Sequence, residues 1–444
     1  MKLRFPHPVV ILLLFIFIAT LLTYLIPSGE YERVIDEVTG REVVVQGSYH
    51  KVQQESVGFF EMLVAIPKGF IERADLIVLI LIVGGSFYVV DKTGTFEAGI
   101  NFLVSKFKNA NAALLTIVGF AFATGGALNG LQEEVIAMMP VMVMLSKRIG
   151  YTKVAAVAIS LGCALLGGAF SPVNPFNVLI AQTLAEVTLF SGAMFRMIFF
   201  LTALGFWITY VIKTGKSKHQ EHTESEDPKS LQGRHVIILS LVALAFGISI
   251  YGILNMGWDF NEMSGVFFAM GLSAGIVGKL GLNGTAQIYS EGFSELIFAG
   301  IIVALAGSIS VVINEGKIID TIVLALFTPV KELPITISAL GMMLSHIMLH
   351  IPVPSTSGQA ALTMPLLTPL GDLIGISRQV VVLAYQYGAG LTDLLTPTNG
   401  GMMAVLAAGS ISYKDWFKYA WKPTLGLLAI GACSIIVAVL TNLQ

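Results

Sequence analysis

Ser171-Pro172-Val173-Asn174-Pro175 interrupts a long apolar run, and 225 residues further on Thr396-Pro397-Thr398-Asn399-Gly400 interrupts another. Proline removes a backbone donor, and Ser, Thr or Asn beside it can cap a new start, so each stretch reads as a break inside a helix. The same register pairs Met139-Pro140 with Met364-Pro365, Ile149-Gly150 with Ile374-Gly375 and Thr152-Lys153 with Ser377-Arg378, without a gap. One register held through so many Gly, Pro and Asn marks an internal repeat.

The 444 residues are 55% hydrophobic and 12% charged, with a mean hydropathy of +0.80. A soluble domain must also cover its core with a solvated surface, so the solvent for most of this chain is lipid. Runs at 8–27, 75–93, 190–212, 235–254, 262–280, 295–313 and 423–442 are long enough to cross a bilayer. The segments 153–186 and 379–411 are longer and carry the two breaks. Two more, 111–147 and 335–374, hold paired apolar pieces split by small and polar residues at 125–130 and 352–358, the pattern of re-entrant hairpins. The expected fold is an all-α polytopic membrane protein with about nine transmembrane crossings and two re-entrant hairpins. Residues 1–212 form the first half, 213–234 a polar linker and 235–444 the second half.

The first apolar run ends at Pro27-Ser28-Gly29 without a small-x-small cleavage site, which favours a retained helix over a signal peptide. With Lys2 and Arg4 in the cytoplasm, that side also receives Lys92, Lys106, Lys108, Lys147, Arg148, Lys153, Lys213, Lys216, Lys218, Lys279, Lys414, Lys418 and Lys422. Arg378 is the exception. The opposite side receives the long mixed-charge segment 28–74. An odd number of crossings separates the repeat copies, so they run through the membrane in opposite directions. Inverted repeats with discontinuous helices are the architecture of secondary transporters, in which the solute site lies near the midplane.

Other classes find little support. The net charge of -2 and the lack of a basic arm set nucleic acid aside. Cys163 and Cys433 stand in apolar stretches without metal-ligand spacing and read as small core residues. No P-loop, nucleophile set or His-Glu-x-x-His is evident, which argues against a pump or an enzyme. A channel would use a continuous polar pore instead of broken hairpins.

Glu133 and Glu134 follow the first hairpin tip and precede an apolar run, so they are costly near the bilayer centre and are candidates for a cation, Na⁺ or a proton. Adjacent helical residues point about 100° apart, which lets one of the two face a site. Asp393, three residues before the second break, is a candidate partner for an ion or amine or a helix-helix hydrogen bond. Asn129 and Gln132 at the first tip stand opposite Ser355, Thr356, Ser357 and Gln359 at the second. The breaks add Ser171, Asn174 and Asn177, and Thr396, Thr398 and Asn399. His346 and His350, four apart on one face, could bind a metal or relay protons, and read first as core or interface histidines. No Lys or Arg stands among these residues.

The stretches Asn129-Gly130-Leu131-Gln132-Glu133-Glu134, Val173-Asn174-Pro175-Phe176 and Ser355-Thr356-Ser357-Gly358-Gln359-Ala360-Ala361-Leu362-Thr363-Met364-Pro365 with Ser377-Arg378-Gln379-Val380 resemble the YfcC family of membrane transporters. That family is related to anaerobic C4-dicarboxylate carriers and, more distantly, to elevator-type ion-coupled carriers. The resemblance covers nearly the whole chain. It implies a homodimer in the bacterial inner membrane, with a static scaffold and a mobile transport domain. It also implies Na⁺ and substrate at the tips, with Na⁺ at Asn129, Glu133, Ser171, Asn174, Ser355, Thr396 and Asn399. Where the family carries Gly-Asp-Gly, this chain reads Gly388-Ala389-Gly390, with Asp393 displaced toward the break. Family substrates divide between basic amino acids and dicarboxylates. Carboxylates without a cationic residue favour an amino acid, coupled to Na⁺ or H⁺ or exchanged, over a C4-dicarboxylate.

Overall fold

The computed structural model describes residues 7–37, 42–106, 111–217 and 231–444, apart from the side chains of Asn129, Leu254 and Lys331. Expectations resting on Lys2, Arg4, Lys108, Lys218, the linker residues 218–230 and the Asn129 side chain lie outside these described residues.

The apolar helix α1 (Pro8–Leu25) leads to two small antiparallel ribbons, β1 (Gly29–Glu30) with β4 (His50–Lys51) and β2 (Arg33–Ile35) with β3 (Glu42–Val44). Helices α2 (Phe59–Glu72), α3 (Ala74–Lys92) and α4 (Thr95–Lys106) precede the hairpin arms α5 (Asn111–Asn129) and α6 (Glu134–Arg148). The first broken helix consists of α7 (Lys153–Val157), a π-turn at Ala158–Gly162 and α8 (Cys163–Ala169). It resumes after the break as a π-turn at Pro175–Leu179 and α9 (Ile180–Leu184), and α10 (Ala193–Thr214) follows.

Beyond the linker come α11 (Gly233–Met256), α12 (Phe260–Val277), α13 (Gly281–Glu315) and α14 (Ile319–Phe327). The second hairpin has arms α15 (Ile335–His350) and α16 (Thr356–Ile374). The second broken helix is α17 (Arg378–Thr392) and α18 (Gly400–Ala408), and α19 (Tyr413–Leu440) ends the chain. Among the described residues eight helices are long and apolar enough to cross a membrane.

The loops expected on one side do meet. Tyr151 and Lys216 form an isolated β-bridge, Thr152 N–H donates to Gly215 O, and Arg148 lies 3.9 Å from Glu97. At the other end Ser28 Oγ donates to Gly316 O, and Lys317 pairs with Glu30 and Glu55. The ribbon segment is anchored by buried Asp320, which accepts from Tyr31 N–H at 2.8 Å and from the Arg33 guanidinium at 2.8 and 3.0 Å. Arg378, the exception to the charge pattern, pairs with Asp372 and Glu186, both at 2.8 Å, so its charge is balanced locally.

Three expectations need correction. Residues 59–72, read as part of a polar segment, form α2, which packs on α13 so closely that a Cβ on Gly69 would meet Ser308 and the Ala304 carbonyl. Its 14 residues, with Pro67 and Lys68 inside, fall short of a span, which hid it. The run at 295–313 is part of a 35-residue helix whose first turns carry polar residues. Cys433 is exposed on the outer face of α19, while Cys163 is buried as expected.

Hairpin and broken helix touch backbone to backbone. A Cβ on Gly126 would lie 2.0 Å from the Ala164 carbonyl oxygen, and one on Gly167 would lie 2.1 Å from that of Ala123. Small residues permit such approach between membrane helices, where packing carries the stability. Gly126→Ala and Gly167→Ala are therefore expected to lower thermal stability in detergent by roughly 1–3 kcal/mol. Gly205→Ala, with nothing within 4 Å of the added carbon, should leave it unchanged or raise it. Equal melting of all three variants would remove close approach as the reason for these glycines.

Candidate functional site

Each break frees backbone amides that lipid cannot satisfy, and an asparagine takes them up. Fully buried Asn174 accepts from Phe176 N–H and Asn177 N–H at 2.8 Å each and donates to Gly126 O at 2.7 Å, so it caps one helix while gripping the first hairpin. Ser171 Oγ accepts from Val173 N–H and Asn174 N–H and donates to Ala127 O at 2.7 Å. In the second half Asn399 Oδ1 accepts from Met402 N–H and from Gln132 Nε2, both at 2.8 Å, while Asn399 Nδ2 donates to Asp393 Oδ1 at 2.5 Å. Gln132 thus ties the first tip to the second break.

Both tips and both breaks line one cavity of about 400 Å³. Of the residues expected from the sequence, Gln132, Glu133, Glu134, Asn174, Asn177, Ser355, Thr356, Ser357, Asp393, Thr398 and Asn399 line it. Ser171, Gln359 and Thr396 are buried behind the wall. Thr396 Oγ1 bonds Thr398 Oγ1 at 2.7 Å, and Thr398 Oγ1 donates to Ile351 O.

The cavity also takes in Glu72, Arg73 and Asp75 from the α2–α3 junction and Trp258 and Asp259 from the α11–α12 turn, all missed by the sequence reading. The expectation of a site without a cationic residue is therefore corrected by Arg73. It stood in a segment read as loop because α2 is too short to register as membrane-embedded. Arg73 packs against Gly307 of α13 and makes no side-chain hydrogen bond or ion pair among the described residues. Six cavity residues, Glu72, Asp75, Glu133, Glu134, Asp259 and Asp393, carry carboxylates against this one arginine. Among the described residues, buried Glu134 Oε2 has no hydrogen-bond partner.

The two histidines read as packing residues belong to a polar cluster. His350 Nε2 lies 2.8 Å from Asp393 Oδ1, and His350 Nδ1 lies 2.7 Å from Gln359 Oε1. Gln359 Nε2 donates to His346 O at 3.1 Å and lies 2.8 Å from His346 Nδ1. The i, i+4 spacing showed the two histidines on one face; their partners come from other helices and left no local signal. The repeat register sets His346, His350, Gln359 and Asp393 against Ala121, Gly125, Glu134 and Gly168, so three of the four positions that carry the bonded cluster in the second half hold Ala or Gly in the first.

Another buried cation escaped the reading. Arg196, inside the apolar run at 190–212, donates to Gln386 Oε1, Gln379 Oε1 and Ser191 O, and Gln386 Nε2 in turn donates to Ser171 O. A lone Arg in such a run was the available signal.

Of the residues expected to hold Na⁺, three already have their side-chain oxygens engaged. An amide oxygen has two lone pairs and a hydroxyl the same, and those of Asn174, Asn399 and Ser171 are each taken by two donors. Ser355 Oγ accepts from Gly358 N–H as a helix cap. Among the described residues no group of three or more His, Cys, Asp or Glu is placed to hold a metal ion.

The family profile for the C4-dicarboxylate anaerobic carrier, DcuC, matches residues 5–440. A Haemophilus influenzae protein is 29% identical over 98% of this chain and 97% of its own length. An Escherichia coli (strain K12) protein named "Putative basic amino acid antiporter YfcC" is 28% identical over 97% of this chain and 96% of its own. The YdaH transporter of Alcanivorax borkumensis aligns over 98% of this chain and 99% of its own at 15% identity, with a TM-score of 0.46. A profile match of this length settles the family: the chain belongs to the C4-dicarboxylate anaerobic carrier (DcuC) family of membrane transporters.

Proposed function

We propose that this chain is a secondary transporter of amino acids, with basic ones of the arginine and ornithine type as its solutes, in the bacterial inner membrane. The carrying observation is the make-up of the cavity wall, six carboxyl groups facing one guanidinium. An amino acid fits both: its carboxylate meets Arg73, and its cationic side chain meets Glu133 and Glu134, whose Oε2 is unpartnered. The name of the Escherichia coli relative points the same way.

The second reading, a C4-dicarboxylate, has the family description and Arg73 in its favour. A dianion would have to enter a cavity lined by six carboxyl groups and a single guanidinium. The division into inverted halves, about nine crossings with a cytoplasmic N-terminus, a homodimer and elevator-type movement of one domain against a scaffold belong to the same proposal. The convergence of both tips and both breaks on one cavity supports it.

Labelled arginine should undergo counterflow in proteoliposomes, with excess unlabelled ornithine competing and succinate inert. Succinate counterflow without arginine counterflow would replace the first reading by the second. Glu133→Gln and Glu134→Gln are expected to weaken arginine transport about 10-fold or more, the effect of losing a charged hydrogen bond of about 1.5–3 kcal/mol. Wild-type kinetics in both variants would leave these carboxylates merely solvated. Arg73→Ala should raise the KM for arginine by a similar factor while sparing a decarboxylated analogue such as agmatine; equal loss for both compounds would take the solute carboxylate away from Arg73.

A further inference from the structure

We infer that the coupling ion is a proton, held between Asp393 and His350 and released when a cationic solute binds; this rests on the basic amino acid reading above. The assignment follows from counting hydrogens along the cluster. The backbone carbonyl of His346 can only accept, so the Gln359 atom 3.1 Å from it is the NH₂ group. The Gln359 oxygen therefore points at His350 Nδ1, 2.7 Å away, and that nitrogen carries hydrogen. The remaining contact, His350 Nε2 to Asp393 Oδ1 at 2.8 Å, is a hydrogen bond only when a second hydrogen lies between them.

The pair thus holds one proton more than a neutral imidazole and an ionised carboxylate would. Whether it sits on the ring or on the carboxyl, the pair is then neutral overall. His350 is fully buried, but Asp393 lines the cavity, so this proton has one route, through Asp393.

The groups around the pair set the direction of coupling. From the first tip come Gln132, Glu133 and Glu134, with Glu133 close enough for its charge to act on Asp393, and from the α2–α3 junction comes Arg73. Asn399 stands at the start of α18, and Gln359 comes from α16. On its own helix His346 accepts from Gln359 through Nδ1, which leaves its hydrogen on Nε2, an atom without a hydrogen-bond partner among the described residues, with the rings of Phe327 and Tyr385 against the imidazole. A cation entering beside Glu133 and Glu134 makes the ionised form of Asp393 cheaper, and the proton departs to the water that the cavity faces. Return of the proton after the cation leaves restores the pair, so one cation is exchanged against one proton.

The purified protein in weakly buffered detergent solution with a pH-indicator dye tests this, with L-arginine and succinate added in turn. Arginine is expected to release about one proton per molecule bound, and His350→Gln, which lies outside the cavity wall, to bind arginine with that release cut at least fivefold. Proton uptake with succinate and none with arginine would overturn the solute reading and leave the proton site standing. Arginine binding without proton release in the wild type, with affinity that rises with Na⁺, would overturn the proposal. Nitrogen-15 histidine spectra of the solute-free protein give an independent answer. One histidine should be bonded to hydrogen at both nitrogens, or at Nδ1 with an Asp393-dependent partner, and it should be lost in His350→Gln. A His350 signal protonated only at Nε2 would equally sink the assignment.

Discussion

A peptide group freed from a helix inside hydrocarbon has no water to bond, and the centre of this molecule is arranged around that deficit. Asn174 and Asn399 each accept from amides of the helix that restarts after a break. Their remaining valences then do the assembling. Asn174 holds the hairpin carbonyl of Gly126, while Asn399 holds Gln132 from one half and Asp393 from its own. The tips converge because the caps that quiet the backbone are also the bonds that join hairpin to broken helix.

Features that obey local rules were legible in the sequence. Proline and asparagine marked both breaks, small residues marked both tips, and the positions of most spans fell within a few residues of the helices that form. The segment 28–74 was not legible, because β2 and β3 are three residues each and α2 combines a short apolar face with Pro67 and Lys68. Arg73 went unseen with it. Its place in the cavity depends on the close packing of α2 on α13, a contact between residues more than 230 positions apart. The His350–Asp393 bond likewise joins two helices and has no spacing to betray it.

The two halves obey one register yet differ where it matters. In the second half Gln359 is enclosed by His346 and His350, and every polar atom of its amide is bonded. In the first half the matching residue is Glu134, and the positions matching its counterpart's partners are Ala121, Gly125 and Gly168, which carry no polar side chain. A buried carboxylate oxygen without a partner is costly until a positive charge meets it; an amide whose polar atoms are all bonded is not.

That asymmetry bears on descent. Gly168 lies on the cavity wall, where an added side chain would press on the Asn177 amide at 3.1 Å, while the bonded cluster of the second half stands on other helices. Substitutions around Glu134 and around the His350 cluster thus fall in separate stretches of the gene.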